Sequence, residues 1–442
     1  MDNTSDVLVV GAGPAGLALG AALGDAGLQC TVLEQQGRAA IDAPAEDGRE
    51  IALTHRARRI MEQLGLWAAV DAAEIAPLRE ARVLDGDAPQ SLRFAATATA
   101  TATSSGDDAL GWLVPNHLIR RAALAAALQR PSTQLVCDAR VTALERSDTH
   151  ASLTLADGRR WQAPLVVAAD SRFSGTRRLA GIGAAMKDFG RSVVVGRVAH
   201  ERPNDGIAWE CFRYGNTLAL LPMNGQQVSA VVTLNSQRAP EWLALADDAF
   251  AQRIEAQTAG RLGAMRAVGP RHHYPLVAVY ADRFVAPRFA LVGDAAVGMH
   301  PVTAHGYNFG LYGVEVLARE LGSVRSRGGD IGALAPLLAY EREHRRITLP
   351  IYHGTNAIVS LFTDERTPAK LARKAVLQVA EHAPGLSTLI KAAVTRQLTG
   401  GAGERSRGRG LSPRARDALG PSPAERPSAA DGPSRGLSEA RR

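Results

Sequence analysis

The chain has 442 residues, 46% of them apolar and 21% charged, the balance of a soluble globular enzyme with two or three structural units rather than of a disordered or fibrous chain. Its net charge of +7 does not mark a nucleic-acid binder, because nine Arg against five acids between Gly400 and Arg442 put most of the excess in one unpatterned tail. Three scattered cysteines, Cys30, Cys137 and Cys211, form no Cys-x-x-Cys and argue against a disulfide framework or a zinc site, and for a reducing compartment.

The acidic start, Met-Asp-Asn-Thr-Ser-Asp, lacks the positive region of a signal peptide. Residues 6–10 read as a buried strand, 15–26 as a helix stopped by Gly27, and 30–33 as a second strand, which makes a βαβ unit. An amphipathic helix is expected over 56–70. The alternating Ala/Thr run at 95–103 reads as a surface insertion or hairpin edge. Residues 116–128 form a strong helix pattern with Asn116 as N-cap. Strands are expected at 136–144, 151–155 and 161–168, with Asp157-Gly158 as a hairpin turn. Four strand-like runs follow at 192–199, 207–214, 217–221 and 226–234 with no helix between them, which predicts an antiparallel sheet. A helical stretch covers 240–262. A buried strand at 289–292 leads into a glycine-rich loop and a helix from about Gly306, and helical segments continue to about 398. Beyond Gly400 the Gly/Pro/Ser/Ala/Arg composition cannot bury enough apolar surface to offset ordering, so a disordered basic tail is expected.

Two motifs carry chemistry. Gly11-Ala12-Gly13-Pro14-Ala15-Gly16 sits between a strand and a helix. Gly11 allows the tight turn, Gly13 lets backbone approach a pyrophosphate, and Gly16 lets helix and strand pack closely. Glu34 ends the second strand, where a carboxylate accepts ribose hydroxyls and disfavours NADP. The second motif, Gly293-Asp294, ends a buried strand and puts one acceptor where a ribityl chain needs it. A helix starting near Gly306 would aim its N–H groups at the pyrimidine end of a flavin, where charge develops on reduction. The pair points to FAD rather than NAD. There is no second Gly-x-Gly-x-x-Gly, so a nicotinamide reductant would bind transiently.

These motifs, with Arg49-Glu50-Ile51-Ala52-Leu53-Thr54, Gly111-Trp112-Leu113-Val114-Pro115-Asn116, Leu218-Ala219-Leu220-Leu221-Pro222, Tyr274-Pro275-Leu276 and Tyr340-Glu341-Arg342, resemble the group A flavoprotein monooxygenases over residues 6–398. Within that group the chain resembles the ubiquinone-biosynthesis hydroxylases of the UbiH, UbiF and UbiM type, most of all the UbiM branch. The resemblance implies an α/β fold: a Rossmann-like FAD-binding domain (1–80, 105–185 and 275–335) with an inserted antiparallel β-sheet substrate domain (81–104 and 186–274). C-terminal helices (336–399) and the tail (400–442) complete it.

It also implies roles. Gly11, Gly13 and Gly16 hold the pyrophosphate, Glu34 the adenosine ribose, and Arg49 and Arg120 the phosphate and ribityl region. Val141 packs near the adenine, Asp294 binds the ribityl chain, and Gly306 and Asn308 flank the isoalloxazine. No metal is implied, and no catalytic side chain is assigned. The chemistry implied is attack of an electron-rich ring on a flavin C4a-hydroperoxide, with O₂ and a prenylated phenol or quinone as substrates and NAD(P)H as reductant. Phe212, Leu220, Pro222 and Val302 are the expected pocket lining. Other ubiquinone-biosynthesis proteins are candidate partners. The expected location is cytoplasmic, with peripheral contact at the inner membrane one reading of the basic tail. A hydroxylase of a soluble aromatic compound, or a non-catalytic flavoprotein in a biosynthetic complex, are the alternatives.

Two departures from the family pattern stand out. Ser171 replaces the usual glycine in Ala169-Asp170-Ser171-Arg172, which raises the question of a positive φ there. Ala304-His305 replaces the more common Gly-Gln, with a proton relay as one reading of His305.

Overall fold

The computed structural model describes residues 5–85, 92–95, 109–213, 215–299 and 305–363, all within one compact unit. The run at 96–103, His300, Val302, Ala304, the helices expected beyond 363 and the tail lie outside the described residues.

The apolar run Val7–Val10 is fully buried because it is a central strand of a six-stranded sheet. The order is Val285–Ala286, Phe289–Leu291, Leu165–Ala168, Val7–Val10, Cys30–Leu33, Thr133–Val136. Its last five strands are parallel, and only the Val285–Ala286 edge runs antiparallel. Continuous Val/Leu strands suit a parallel sheet covered on both faces. The helices Pro14–Asp25, Asn116–Leu128 and Gly306–Arg325 pack together beside it.

An eight-stranded sheet forms the other half. Its order is Val297–Gly298, Met265–Ala281, Ala184–His200, Gln227–Asn235, Asn216–Met223, Ile207–Arg213, Glu80–Asp85, Leu92–Ala95. All neighbours are antiparallel except Ile207–Arg213 with Glu80–Asp85. One face packs Val194, Leu218, Leu220, Val232 and Leu234 against Trp242, Phe250 and Ile254 of two short helices, Ala239–Leu243 and Asp247–Gln257.

Several local expectations change. Residues 136–144 are two strands, split at Asp138, which takes a φ of 52°. Residues 161–168 are also two strands in different sheets, Arg160–Ala163 and Leu165–Ala168, parted by Pro164, which has no N–H for a ladder. Asn116 does not cap its helix. Pro115 holds the N-cap position, and the Asn116 amide instead donates to Asp47 at 2.7 Å. Residues 240–262 hold two helices rather than one.

Met265–Ala281 is a single 17-residue strand that runs through the expected domain boundary at 274/275. Gly269 and Pro270 look like breakers. They fall where the pairing register slips between Val195/His272 and Arg197/Val268, a bulge that accommodates them.

A long helix, Leu334–Thr363, braces the parallel sheet. From it the buried Tyr340 hydroxyl donates 2.6 Å to the Leu291 carbonyl, and His344 Nε2 lies 3.2 Å from the Phe309 carbonyl. Burial holds the His344 imidazole down at about 4, so it is neutral in the fold. An unfolded histidine protonates near 6.5. Between these values the unfolded chain binds a proton that the folded chain does not, so stability falls as pH drops. The loss should approach about 3 kcal/mol at pH 4. The difference in thermal melting between the wild type and His344→Phe should show this slope from neutral to acid pH, because the other titrating groups are common to both.

Candidate FAD site

The glycine-rich loop is shaped by close backbone approach. Gly11 takes a φ of 107°, and a Cβ there would lie 2.8 Å from the Ala169 oxygen. A Cβ on Gly16 would come within 2.0 Å of the Gly11 carbonyl, so no other residue fits. Gly13, in contrast, opens onto space, its nearest neighbour at 4.0 Å. It is also the N-cap of Pro14–Asp25, and no side chain caps that helix. The free N–H groups of its first turn therefore face an open cradle, which is the arrangement a pyrophosphate needs.

Glu34 is 8% exposed at the end of its strand. One carboxylate oxygen accepts the Ala12 N–H at 2.7 Å and the other accepts the Gln36 N–H at 2.9 Å. These bonds fix the carboxylate beside the loop and leave further lone pairs for ribose hydroxyls. The Ala139 N–H donates 2.7 Å to the Glu34 carbonyl, which brings Val141, two residues on, to the same edge.

The second motif arrives at the same place from the other end of the chain. Gly293 takes a φ of 61°, and a Cβ on it would lie 3.0 Å from the Ala15 side chain. Asp294 therefore follows immediately beside the first helix. Its carboxylate accepts from Arg172 at 2.9 Å, and its other oxygen sits 4.0 Å from where a Cβ on Gly306 would be. Gly306 opens the helix Gly306–Arg325, whose N-cap His305 contributes no side-chain capping bond. The site thus holds two helix N-termini without side-chain caps, each near one acid. These residues fit FAD, with its pyrophosphate at the first helix, its ribityl chain at Asp294 and its flavin ring at the second.

Two expected contacts take a different form. Asn308 is 7% exposed, and its amide is committed to the protein. Its oxygen accepts the Thr54 N–H at 3.0 Å and its nitrogen donates to the Ala52 carbonyl at 2.8 Å. It ties Gly306–Arg325 to the Arg49–Thr54 segment. Arg49 donates from Nε to Asp47 at 2.9 Å and lies over the Tyr274 ring at 5.3 Å, with its side chain 45% exposed. Asp47 captures it: burial opposes the Asp47 charge, but the bonds from Arg49 and Asn116 outweigh burial and lower its carboxyl. Arg120 is half-buried on its helix, with no ion pair among the described residues.

Ser171 settles the first departure. It keeps a negative φ, and its hydroxyl accepts the Phe173 N–H at 3.2 Å, so no glycine is required. Sequence reading missed the partners of this segment. Arg172 pairs with Asp294, and Arg177 donates 3.0 Å to the Ala295 carbonyl. Two cations, two and seven residues past Asp170, were the available signal. His305 is buried at the helix N-cap and packs on Phe309 at 5.2 Å, the place of a packed ring.

Removing the Asn308 amide leaves the Thr54 N–H and the Ala52 carbonyl short of a partner. Asn308→Ala should cost about 1–3 kcal/mol, read as a lower melting temperature of the FAD-bound protein.

The family model described as an FAD binding domain matches residues 4–350. The chain is 44% identical over 400 residues to the ubiquinone hydroxylase UbiM of Neisseria meningitidis, covering 90% of this chain and 86% of that protein. It is 38% identical to the ubiquinone hydroxylase UbiL of Rhodospirillum rubrum, covering 88% and 89%. The fold is similar to the solved structure of p-nitrophenol 4-monooxygenase PnpA from Pseudomonas putida, with a TM-score of 0.72 at 17% identity over 90% of this chain and 99% of that one. With the motif glycines, Glu34 and Asp294 gathered at one loop cluster, the chain belongs to the FAD-binding-domain family and, within it, to the ubiquinone hydroxylases.

Proposed function

We propose that this protein is an FAD-dependent monooxygenase that hydroxylates the aromatic ring of a ubiquinone precursor. The observation that carries this is the convergence of Gly11–Gly16, Glu34, Asp294 and Gly306 on one extended cradle, in a chain whose relatives are ubiquinone hydroxylases. When bound, FAD supplies the activation of O₂ and the transfer of one oxygen atom.

The chain's own residues do the rest. The Pro14–Asp25 N-terminus and Gly13 hold the pyrophosphate, with Arg120 the cation that supports it. Glu34 accepts the ribose hydroxyls, and Val141 lies beside the adenine. Asp294, steadied by Arg172, orients the ribityl chain. The N-terminus of Gly306–Arg325 stabilises negative charge on the pyrimidine side. The antiparallel sheet covers the opposite side and excludes water from the ring to be oxidised.

The domain division belongs to the proposal: the parallel sheet with its helices binds the cofactor, and the eight-stranded sheet shapes the substrate site. NAD(P)H is the proposed reductant, binding transiently. The substrate is a prenylated phenol or quinol, which places the protein in the cytoplasm at the inner-membrane surface, near other ubiquinone-biosynthesis proteins. No helix among the described residues is long and apolar enough to cross a membrane.

Two measurements test this reading. The purified protein should carry flavin absorbance, and Asp294→Ala should lower its FAD affinity by about tenfold or more, the scale of a lost charge-assisted bond. Deleting the gene should accumulate a quinone precursor that lacks a ring hydroxyl. A normal quinone pool alongside bound FAD would move the substrate to a soluble aromatic compound.

A further inference from the structure

The register of the eight-stranded sheet sorts its side chains onto two faces. Trp209 pairs with Leu220 and Cys211 with Leu218, and all four lie on the face packed by Trp242 and Phe250. Leu220 and Pro222 therefore stand on the far side of the sheet, and of the three expected lining residues on it only Phe212 lies on the other face. That other face carries Glu210 and Phe212, then Ala219 and Leu221, Val231, Val195 and Tyr274. It is the face that meets the flavin end. Tyr274 donates 2.6 Å to the Asp47 carbonyl, and Arg197 bonds Glu50 at 3.2 Å, within the segment that Asn308 secures.

On this face Glu210 has no counterpart. It forms no hydrogen bond or ion pair among the described residues. Its cross-strand neighbours are Ala219 on one side and Val83 on the other, and neither titrates. Ala208 and Phe212 flank it along its own strand. Titratable groups on the face include Asp85, which pairs with Phe212 on the neighbouring strand, Arg197, three strands away and bonded to Glu50, and His272, which pairs with Val195 one strand further. Glu210 keeps partial contact with solvent, yet burial alone lifts its carboxyl to about 8. A protein rarely leaves a carboxyl on an apolar face without a partner, and a ligand group is the partner this face lacks.

We infer that Glu210 receives the ring hydroxyl of the aromatic substrate and takes up its proton. The inference rests on the hydroxylase reading above. The substrate O–H bond breaks, a new O–H bond forms on a Glu210 oxygen, and the electron pair stays on the ring oxygen. That charge enriches the ring carbons ortho and para to it, where an electrophilic oxygen atom is added. An ordinary glutamate, near 4.3, is a weak base for a phenol near 10, and the raised carboxyl narrows that gap by about half or more.

The test uses the full chain with FAD bound and oxidised. It is titrated with 2-prenylphenol and, separately, with prenylbenzene, which lacks the hydroxyl, and binding is followed by the flavin difference spectrum. The wild type should prefer the phenol by about tenfold or more, and its affinity should rise with pH through about 8. Glu210→Gln, isosteric and uncharged, should keep FAD, lose the preference and lose the pH dependence. Equal preference and an unchanged pH profile in Glu210→Gln would overturn the inference and leave the hydroxylase standing. Failure of the wild type to bind either compound would overturn the substrate reading and this inference with it. Should the variant lose FAD, the wild-type profile decides, because a flat profile across pH 7–9 excludes the role.

Discussion

One buried amide joins the two halves of the cofactor site. Asn308 stands in the first turn of Gly306–Arg325 and bonds both the N–H of Thr54 and the carbonyl of Ala52, 254 and 256 residues earlier in the chain. Through it the start of Gly306–Arg325 is held in register with the Arg49–Thr54 segment, and through that segment with the eight-stranded sheet. On the other side, Tyr340 and His344 hold Leu291 and Phe309, one just before Asp294 and one just after Gly306. The flavin end is thus clamped from both sides by buried polar groups, and each has a partner because each replaces water that the fold excludes.

The glycine-rich turns and strand ends of the first half were legible in the sequence because their constraints are local. Gly11, Gly13, Gly16, Glu34, Asp294 and Gly306 each meet a demand set by a few neighbours: a tight turn, a close approach, the end of a strand. The structure meets those demands where the pattern placed them. The substrate half was harder to read. Alternation along 207–221 predicts two faces but does not say which one meets the helices. Leu220 and Pro222 were accordingly expected on the wrong side, while Glu210, a charged residue in an apolar strand, carried the signal. Met265–Ala281 was divided at 274/275 in the sequence reading, and only the register slip of the partner strand shows how one strand accommodates Gly269 and Pro270 as a bulge.

Charge partners were the other blind spot. Arg49 looks free to meet a phosphate until Asp47, two residues away, is seen to hold it against Tyr274. The Arg49–Asp47–Asn116 set instead stiffens the strand entry beneath the sheet. Glu50, just beyond, shows how tightly that entry is packed: burial raises its carboxyl to about 7 even with Arg197 in contact. Such groups lie between elements distant in the chain, where no short motif records both sides.

Ser171 has a consequence beyond fitting its turn. Its backbone sits where any L-residue is comfortable, so the glycine usual in related chains is not needed for the native conformation here. A serine has fewer backbone states than a glycine in the unfolded chain and loses fewer on folding, a difference of about 0.4–1 kcal/mol in favour of the folded protein. The segment that reaches from Asp170 to Asp294 is therefore pre-restricted before it folds, and its order comes partly from the states the open chain can no longer visit.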